Sequence, residues 1–220
     1  MQHFFLRFRI TVWLLFIPLF ISPVLPPATA AEGPVIFKWA FRIETSEGMK
    51  TLDLSSRPHL NTGDVIQIFI EPVKNAHVYL YLLDPDMNLQ LIYPSENVMS
   101  GAPHPAPDEY TIPEPPNRFQ LTPPSGTEKF YLLASHSRMT DLESVTQNYL
   151  KDIDNDDAKS RVIQTIKQKI RNASRFSKSA EKGVPITGTL RTRGQDTLSN
   201  VTEVIAEDFY GKVIRMPHAD

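Results

Sequence analysis

The 220-residue chain has no cysteine. This excludes a disulfide scaffold, a thiolate zinc site, a cysteine nucleophile and a lipid anchor on an N-terminal cysteine. A chain of this length can bury a core large enough to dispense with cross-links. A surplus of one charge is also lacking. The formal net charge is −2, so no global field favours nucleic acid. Histidine is sparse and scattered. His3, His59, His77, His104, His136 and His218 never stand at a metal-ligand spacing, and no H-E-x-x-H occurs. There is no phosphate-binding glycine loop, no G-x-G-x-x-G and no G-x-S-x-G. The residues therefore predict no metal and no cofactor.

Three partial motifs fail on inspection. Ser179-Ala180-Glu181-Lys182 matches S-x-x-K, but neither S-D-N nor K-T-G accompanies it. Asp152, Asp154 and Asp156 open like a calcium loop. However, Asp157 stands where the sharp turn needs glycine, and Ile163 where a bidentate glutamate belongs. These aspartates read instead as the start of a helix, where acidic groups suit the dipole. Ser135-His136-Ser137 gives no triad, because neighbours on a strand point to opposite faces.

Residues 1–30 read as a targeting segment. Arg7 and Arg9 precede an uncharged apolar run from Ile10 to Leu25, Pro26-Pro27 breaks it, and Ala28-Thr29-Ala30 is a small-residue cleavage site. The alternative is an N-terminal membrane anchor. The run is short for a bilayer span of ~20 residues, and Pro18 and Pro23 interrupt it. Removing Arg7 and Arg9 shifts the mature charge to about −4.

The remaining chain alternates like a β protein. Val35, Phe37, Trp39, Phe41 and Ile43 share one face, with Lys38 and Arg42 on the other. Ser46-Glu47-Gly48 is a turn, and 49–54 a short return strand. Val65–Glu71, His77–Leu83 and Leu89–Tyr93 are separated by turn residues and predict three consecutive strands of an antiparallel meander. The middle run is apolar on both faces, with Val78, Leu80 and Leu82 on one and His77, Tyr79, Tyr81 and Leu83 on the other. This predicts an interior strand of a packed sheet. Nine of the 19 prolines lie in 94–124, which reads as an extended loop with edge strands near 109–112 and 118–121. Pro124-Ser125-Gly126 predicts a turn that needs glycine, followed by a strand from Glu128 to Ser135.

A two-helix insert follows at about 140–174. Thr140-Asp141-Leu142-Glu143 has the form of a capping box, and Leu142, Val145, Tyr149, Leu150 and Ile153 form a stripe. The second helix, from near Asp154 to Ala173, buries Ala158, Val162, Ile163, Ile166, Ile170 and Ala173. Residues 174–183 read as polar linker. Ile186–Thr192 and Val213–Met216 read as closing strands, within a closing region of about 185–217.

The order of motifs from Leu60 to Ser137 resembles a family. The matching residues are Thr62-Gly63-Asp64-Val65, Ala76-His77-Val78-Tyr79-Leu80-Tyr81, Leu83-Asp84-Pro85 and Leu91-Ile92-Tyr93-Pro94. They continue with Tyr110-Thr111-Ile112-Pro113, Phe119-Gln120-Leu121, Pro124-Ser125-Gly126-Thr127-Glu128 and Leu133-Ala134-Ser135. Together they resemble a bacterial domain of unknown function that is frequent in exported proteins and also seen fused to caspase-like peptidase and kinase modules. The resemblance implies an immunoglobulin-like sandwich and export, and brings no catalytic residues.

The expectation is a mainly β (α+β) chain: an antiparallel, immunoglobulin-like β-sandwich, 31–220, with a family-like core at about 60–137 and the two-helix insert. The expected role is a non-catalytic binding or interaction module of the bacterial cell envelope. The alternatives are a hydrolase with an unrecognised site or a structural subunit of an envelope assembly. Two surfaces are candidates for docking. Lys159, Lys167, Lys169, Arg171 and Arg175 lie on the second helix and suit an anionic cell-wall or lipid surface, or an envelope protein. His77, Tyr79 and Tyr81 form a candidate aromatic surface, unless the sheet and helices bury them. No nucleic acid and no small-molecule cofactor is expected as a partner. Export predicts that the mature product begins at Ala31, which mass spectrometry of the exported protein checks; an intact Met1 in a membrane fraction overturns it.

Overall fold

Alternation along the chain decides which face of each strand is buried, and two stacked sheets result. The computed structural model describes residues 33–55, 58–74, 76–102, 108–185 and 200–220. The expected targeting segment 1–30 and the expected strand Ile186–Thr192 lie outside the described residues. In chain order the strands are β1 (Val35–Thr45), β2 (Gly48–Thr51), β3 (Leu60–Asn61), β4 (Val65–Lys74), β5 (His77–Leu83) and β6 (Leu89–Tyr93). Helix α1 (Glu96–Met99) precedes β7 (Tyr110–Ile112), β8 (Phe119–Gln120) and β9 (Gly126–Ser135). Helices α2 (Thr140–Leu150) and α3 (Asp156–Phe176) then lead to β10 (Ser179–Pro185), β11 (Asn200–Ala206) and β12 (Phe209–Ala219).

The first sheet runs β10-β11-β1-β4-β7, with β2 paired to β1 and β8 to β4. The second runs β3-β12-β9-β5-β6. All pairings are antiparallel except that of β12 with β3. This is the expected antiparallel β-sandwich. Val35, Phe37, Trp39 and Phe41 of β1 and Ile66, Ile68 and Ile70 of β4 face Phe130, Leu132, Ile214 and Met216 across the gap. Edge-on ring contacts, Phe37 with Tyr210 and Phe41 with Phe130, join the layers at 5.3 and 4.8 Å between centroids. On the outer side of β1, Lys38 pairs with Glu71 at 3.1 Å, and the Arg42 guanidinium lies over Phe69.

The middle strands of the second sheet, β5 and β9, are buried on both faces. Their outer face carries Tyr79, Tyr81, Leu83, Tyr131 and Leu133, which pack against Leu142, Tyr149, Val162 and Ile166 of the helices. The layers are therefore sheet, sheet and helices. The expected interior strand at 77–83 is found, between β9 and β6. The expected three-strand meander is not. β4 belongs to the first sheet and β5 to the second, so the chain changes layer after Lys74. An alternating pattern is the same whichever sheet the strand joins.

Three local expectations are also corrected. Thr140 is no helix cap: Met139 holds that position, and its backbone N–H donates to the Tyr79 hydroxyl at 3.1 Å. Ile153 leaves the helical stripe and is 61% exposed in the turn before α3. The stretch read as linker after 174 completes α3 and forms β10, whose exposed side chains on the sheet's edge explain its polarity.

Gly126 opens β9 opposite His218, in a backbone conformation open to other residues. What requires glycine is close approach: an added Cβ would stand 2.8 Å from the Pro85 Cβ. Gly126→Val should destabilise the protein by about 1–3 kcal/mol, the usual scale of overpacking. In a Pro85→Gly background the cost should shrink. An equal denaturation-midpoint loss in both backgrounds would show that Pro85 is not the cause.

Candidate functional site

The residues expected as an aromatic surface lie inside. Tyr79 and Tyr81 are fully buried between the second sheet and α2, and His77 is half-buried at the start of β5. The correction follows from the helices, which cover that face of β5. The Tyr79 hydroxyl donates to Glu143 at 2.5 Å, and the Tyr81 hydroxyl lies 2.9 Å from that of Thr146. Glu143 also accepts from Nε and Nη2 of Arg138, whose Nη2 and Nη1 groups reach the carbonyls of Val98 and Ala102. Burial first, and then the Glu143 bond, push the Tyr79 phenol above its ordinary value, so it remains a donor. Burial, with the Arg138 charge beside it, pulls His77 down. Tyr79, Tyr81, Arg138 and Glu143 each find a partner, which makes the cluster a clamp between β5, α1 and α2.

The basic helix keeps part of its expected character. Val162 and Ile166 are buried, with Ala158, Ile163 and Ile170 packed beside them, so the cations project outward. Two of them are paired: Lys159 with Asp156 at 2.8 Å and Lys169 with Asp141 at 2.7 Å. Lys167 and Arg171 are exposed. The Arg175 side chain lies outside the described residues. The positive face is thus narrower than the sequence implies.

A third place lies between the two sheets. A cleft of about 680 Å³ opens between β12, the β10–β11 pair and the 50–55 segment. Trp39 and Phe41 form its apolar floor, and Lys50, Glu181, Thr202 and Lys212 give it polar walls. Lys212 stands opposite Leu132 in the ladder and so shares the inward face of the second sheet. Its ammonium sits 5.3 Å from the Trp39 ring centroid and 2.6 Å from Glu181. Glu181 accepts a further bond from the Tyr210 hydroxyl at 3.0 Å. Burial, reinforced by Glu181, raises the Tyr210 phenol. A signal for this site was present in the sequence. Lys212 interrupts the inward series Tyr210, Ile214, Met216.

The arrangement suits binding. No histidine lines the cleft, and Ser55 donates to Asp53 at 2.6 Å. Ser135, from the imagined triad, donates instead to the carbonyl of Ser137 at 2.5 Å. Among the described residues no three His, Asp or Glu side chains converge on one point. Elsewhere Glu128 and His218 meet at the far end of the inner face, 3.6 Å apart. Burial, and then Asp84, push the Glu128 carboxyl up to about 7.

The clamp is testable. Glu143→Ala removes the acceptor of both Tyr79 and Arg138, and should cost about 2–4 kcal/mol. Thr140→Ala should change stability by no more than ~0.5 kcal/mol, as at a surface site without a capping role. Urea denaturation of both variants checks the pair; the reverse order would restore the capping box.

A family model described as "Domain of unknown function (DUF4384)" matches residues 59–138. No curated protein and no solved structure matches the chain. The matched segment runs from β3 through β9. Strands β1 and β12 and helices α2 and α3, on which the clamp and the cleft depend, lie outside it.

Proposed function

We propose that the protein is an exported, non-catalytic binding module of the bacterial cell envelope. The observation that carries this reading is the cleft. It is open to solvent, floored by Trp39 and Phe41 and walled by charged side chains, with no histidine among its lining residues. Concave sites that combine apolar floors with a few fixed polar groups hold ligands. The exposed Lys167 and Arg171 on α3 add a local positive potential that steers anionic surfaces at low salt. The segment 1–30 supports export through its order of charge, apolar run and small-residue site.

Retention on isolated cell wall and on anionic vesicles at low ionic strength tests the reading. Gly183 lines the cleft, and nothing lies within 4 Å of a Cβ added there. Gly183→Trp should therefore fill the cleft without disturbing the core, and weaken retention about tenfold, a loss of about 1.4 kcal/mol. Lys167→Glu with Arg171→Glu should reduce only the salt-sensitive part. A wild type retained by neither material overturns the envelope reading.

A further inference from the structure

One edge of β12 is left open along its middle. On one side β12 pairs with β9 from Phe209 to His218. On the other, β3 pairs only with His218 and Ala219. Two bonds show which backbone groups face that second side. The Thr62 N–H donates to the Ala219 carbonyl at 2.7 Å, and the Ser177 hydroxyl donates to the Phe209 carbonyl at 2.8 Å. In an antiparallel ladder each residue directs its N–H and C=O to the same side, and successive residues alternate. Gly211, Val213 and Arg215 therefore direct theirs away from β9, where no strand among the described residues pairs with them. Pro217 is next in this series and has no N–H to leave unmet. Ser177 closes one end of the edge and β3 the other, while Lys212 to Arg215 line the cleft between.

We propose that this edge binds an extended, acidic segment of a partner polypeptide by strand addition between Gly211 and Arg215. The inference deepens the binding reading above and rests on it. An added strand lies about 4.8 Å from its neighbour and advances ~3.4 Å per residue, so the open edge takes about five residues. Main-chain bonds supply affinity, and alternate side chains supply selectivity. Charge selects the partner. Lys50 and Lys212 line the cleft with Asp53 and Glu181, and Arg215, on the opposite face of β12 with Val213, adds a third cation at the same edge. Glu181 is already held by Lys212 and Tyr210, and Asp53 accepts from Ser55. An acidic side chain restores the balance at exposed Lys50 and Arg215. A second copy brings its own Lys212 and Arg215 to the same edge. The chain's own segment 186–199 brings Arg191 and Arg193 against one acid, Asp196. Both are less complementary than an acidic partner.

The probe is a blocked seven-residue peptide of alternating Val and Glu, with a Val–Lys peptide as its counterpart. Amide hydrogen exchange of Gly211, Val213 and Arg215 is followed by NMR. The Val–Glu peptide should slow all three by at least about tenfold, and the Val–Lys peptide should not. Val213→Pro removes one N–H on the open side and leaves the β9 ladder intact, as Pro217 already does. It should weaken the peptide about tenfold, beside the modest fall in thermal midpoint that losing the Val213 packing brings. If Val213→Pro does not fold, N-methylation of alternate peptide amides makes the same cut on wild-type protein. Absence of protection by either peptide overturns strand addition. Slow exchange of these amides in dilute free protein overturns it in favour of the chain's own segment. Protection that grows with protein concentration overturns it in favour of a second copy. Equal protection by Val–Lys overturns the acidic partner. Val213→Pro that loses the peptide but keeps envelope retention removes this edge from the envelope contact and leaves the binding reading standing. Peptide protection without envelope retention supports strand addition and removes the envelope reading.

Discussion

β5 and β9, the middle strands of the second sheet, have water on neither face, and most of the structure answers to that constraint. β5 and β9 send Val78, Leu80, Phe130 and Leu132 toward the first sheet and Tyr79, Tyr81, Tyr131 and Leu133 toward the helices. An apolar side chain meets the constraint by packing. A buried hydroxyl must also find a partner, because an unmet polar group costs about 1–3 kcal/mol. Helix α2 supplies those partners. Glu143 accepts from the Tyr79 hydroxyl, Thr146 meets Tyr81, and Tyr149 donates back to the Leu89 carbonyl at 2.7 Å. Three bonds along one helix fix its rotation and its height over the sheet. Packing alone leaves both softer, since apolar contact is not directional.

Features with a local cause were legible in the sequence. The alternation of 35–43, the turn residues at Asp84 to Asn88 and the period of Val162 and Ile166 each specify one element by its own pattern. The elements were found close to where those patterns place them. The misreadings have distant causes. Glu143 looks like a capping residue until its partner Tyr79, 64 positions earlier, is known. Gly126 looks like a turn glycine, but the atom that excludes a side chain belongs to Pro85. β10 looks like linker because an exposed edge strand needs no apolar face. The layer change after Lys74 leaves no mark, since both sheets ask for the same alternation.

The candidate sites divide in the same way. Charges on α3 could be placed from the helical period, but not the acids that would neutralise two of them. Asp156 lies one turn back from Lys159, and Asp141 lies on the other helix from Lys169. The cleft needed both sheets, since its floor comes from β1 and its walls from β10, β11 and β12. Only Lys212 signalled it. A lysine among inward-facing Tyr210, Ile214 and Met216 means that the gap between the sheets is not filled there.

Edge strands are hazards, and Pro217 and the inward Lys212 are both recognised ways of discouraging an edge from pairing with copies of itself. That protective role does not compete with recognition at β12. A free edge offers the same backbone groups to any strand, so selectivity must come from what surrounds it. Proline ends the stretch that can pair, which limits length. Lysine and arginine penalise a cationic or identical strand and favour an anionic one, which limits composition. The third limit is geometric. Ser177 and β3 close the ends of the edge, so a long flat sheet cannot dock there, whereas a short extended segment can. An edge that discourages its own kind by charge and by length would, for the same reasons, favour the short acidic strand proposed for it.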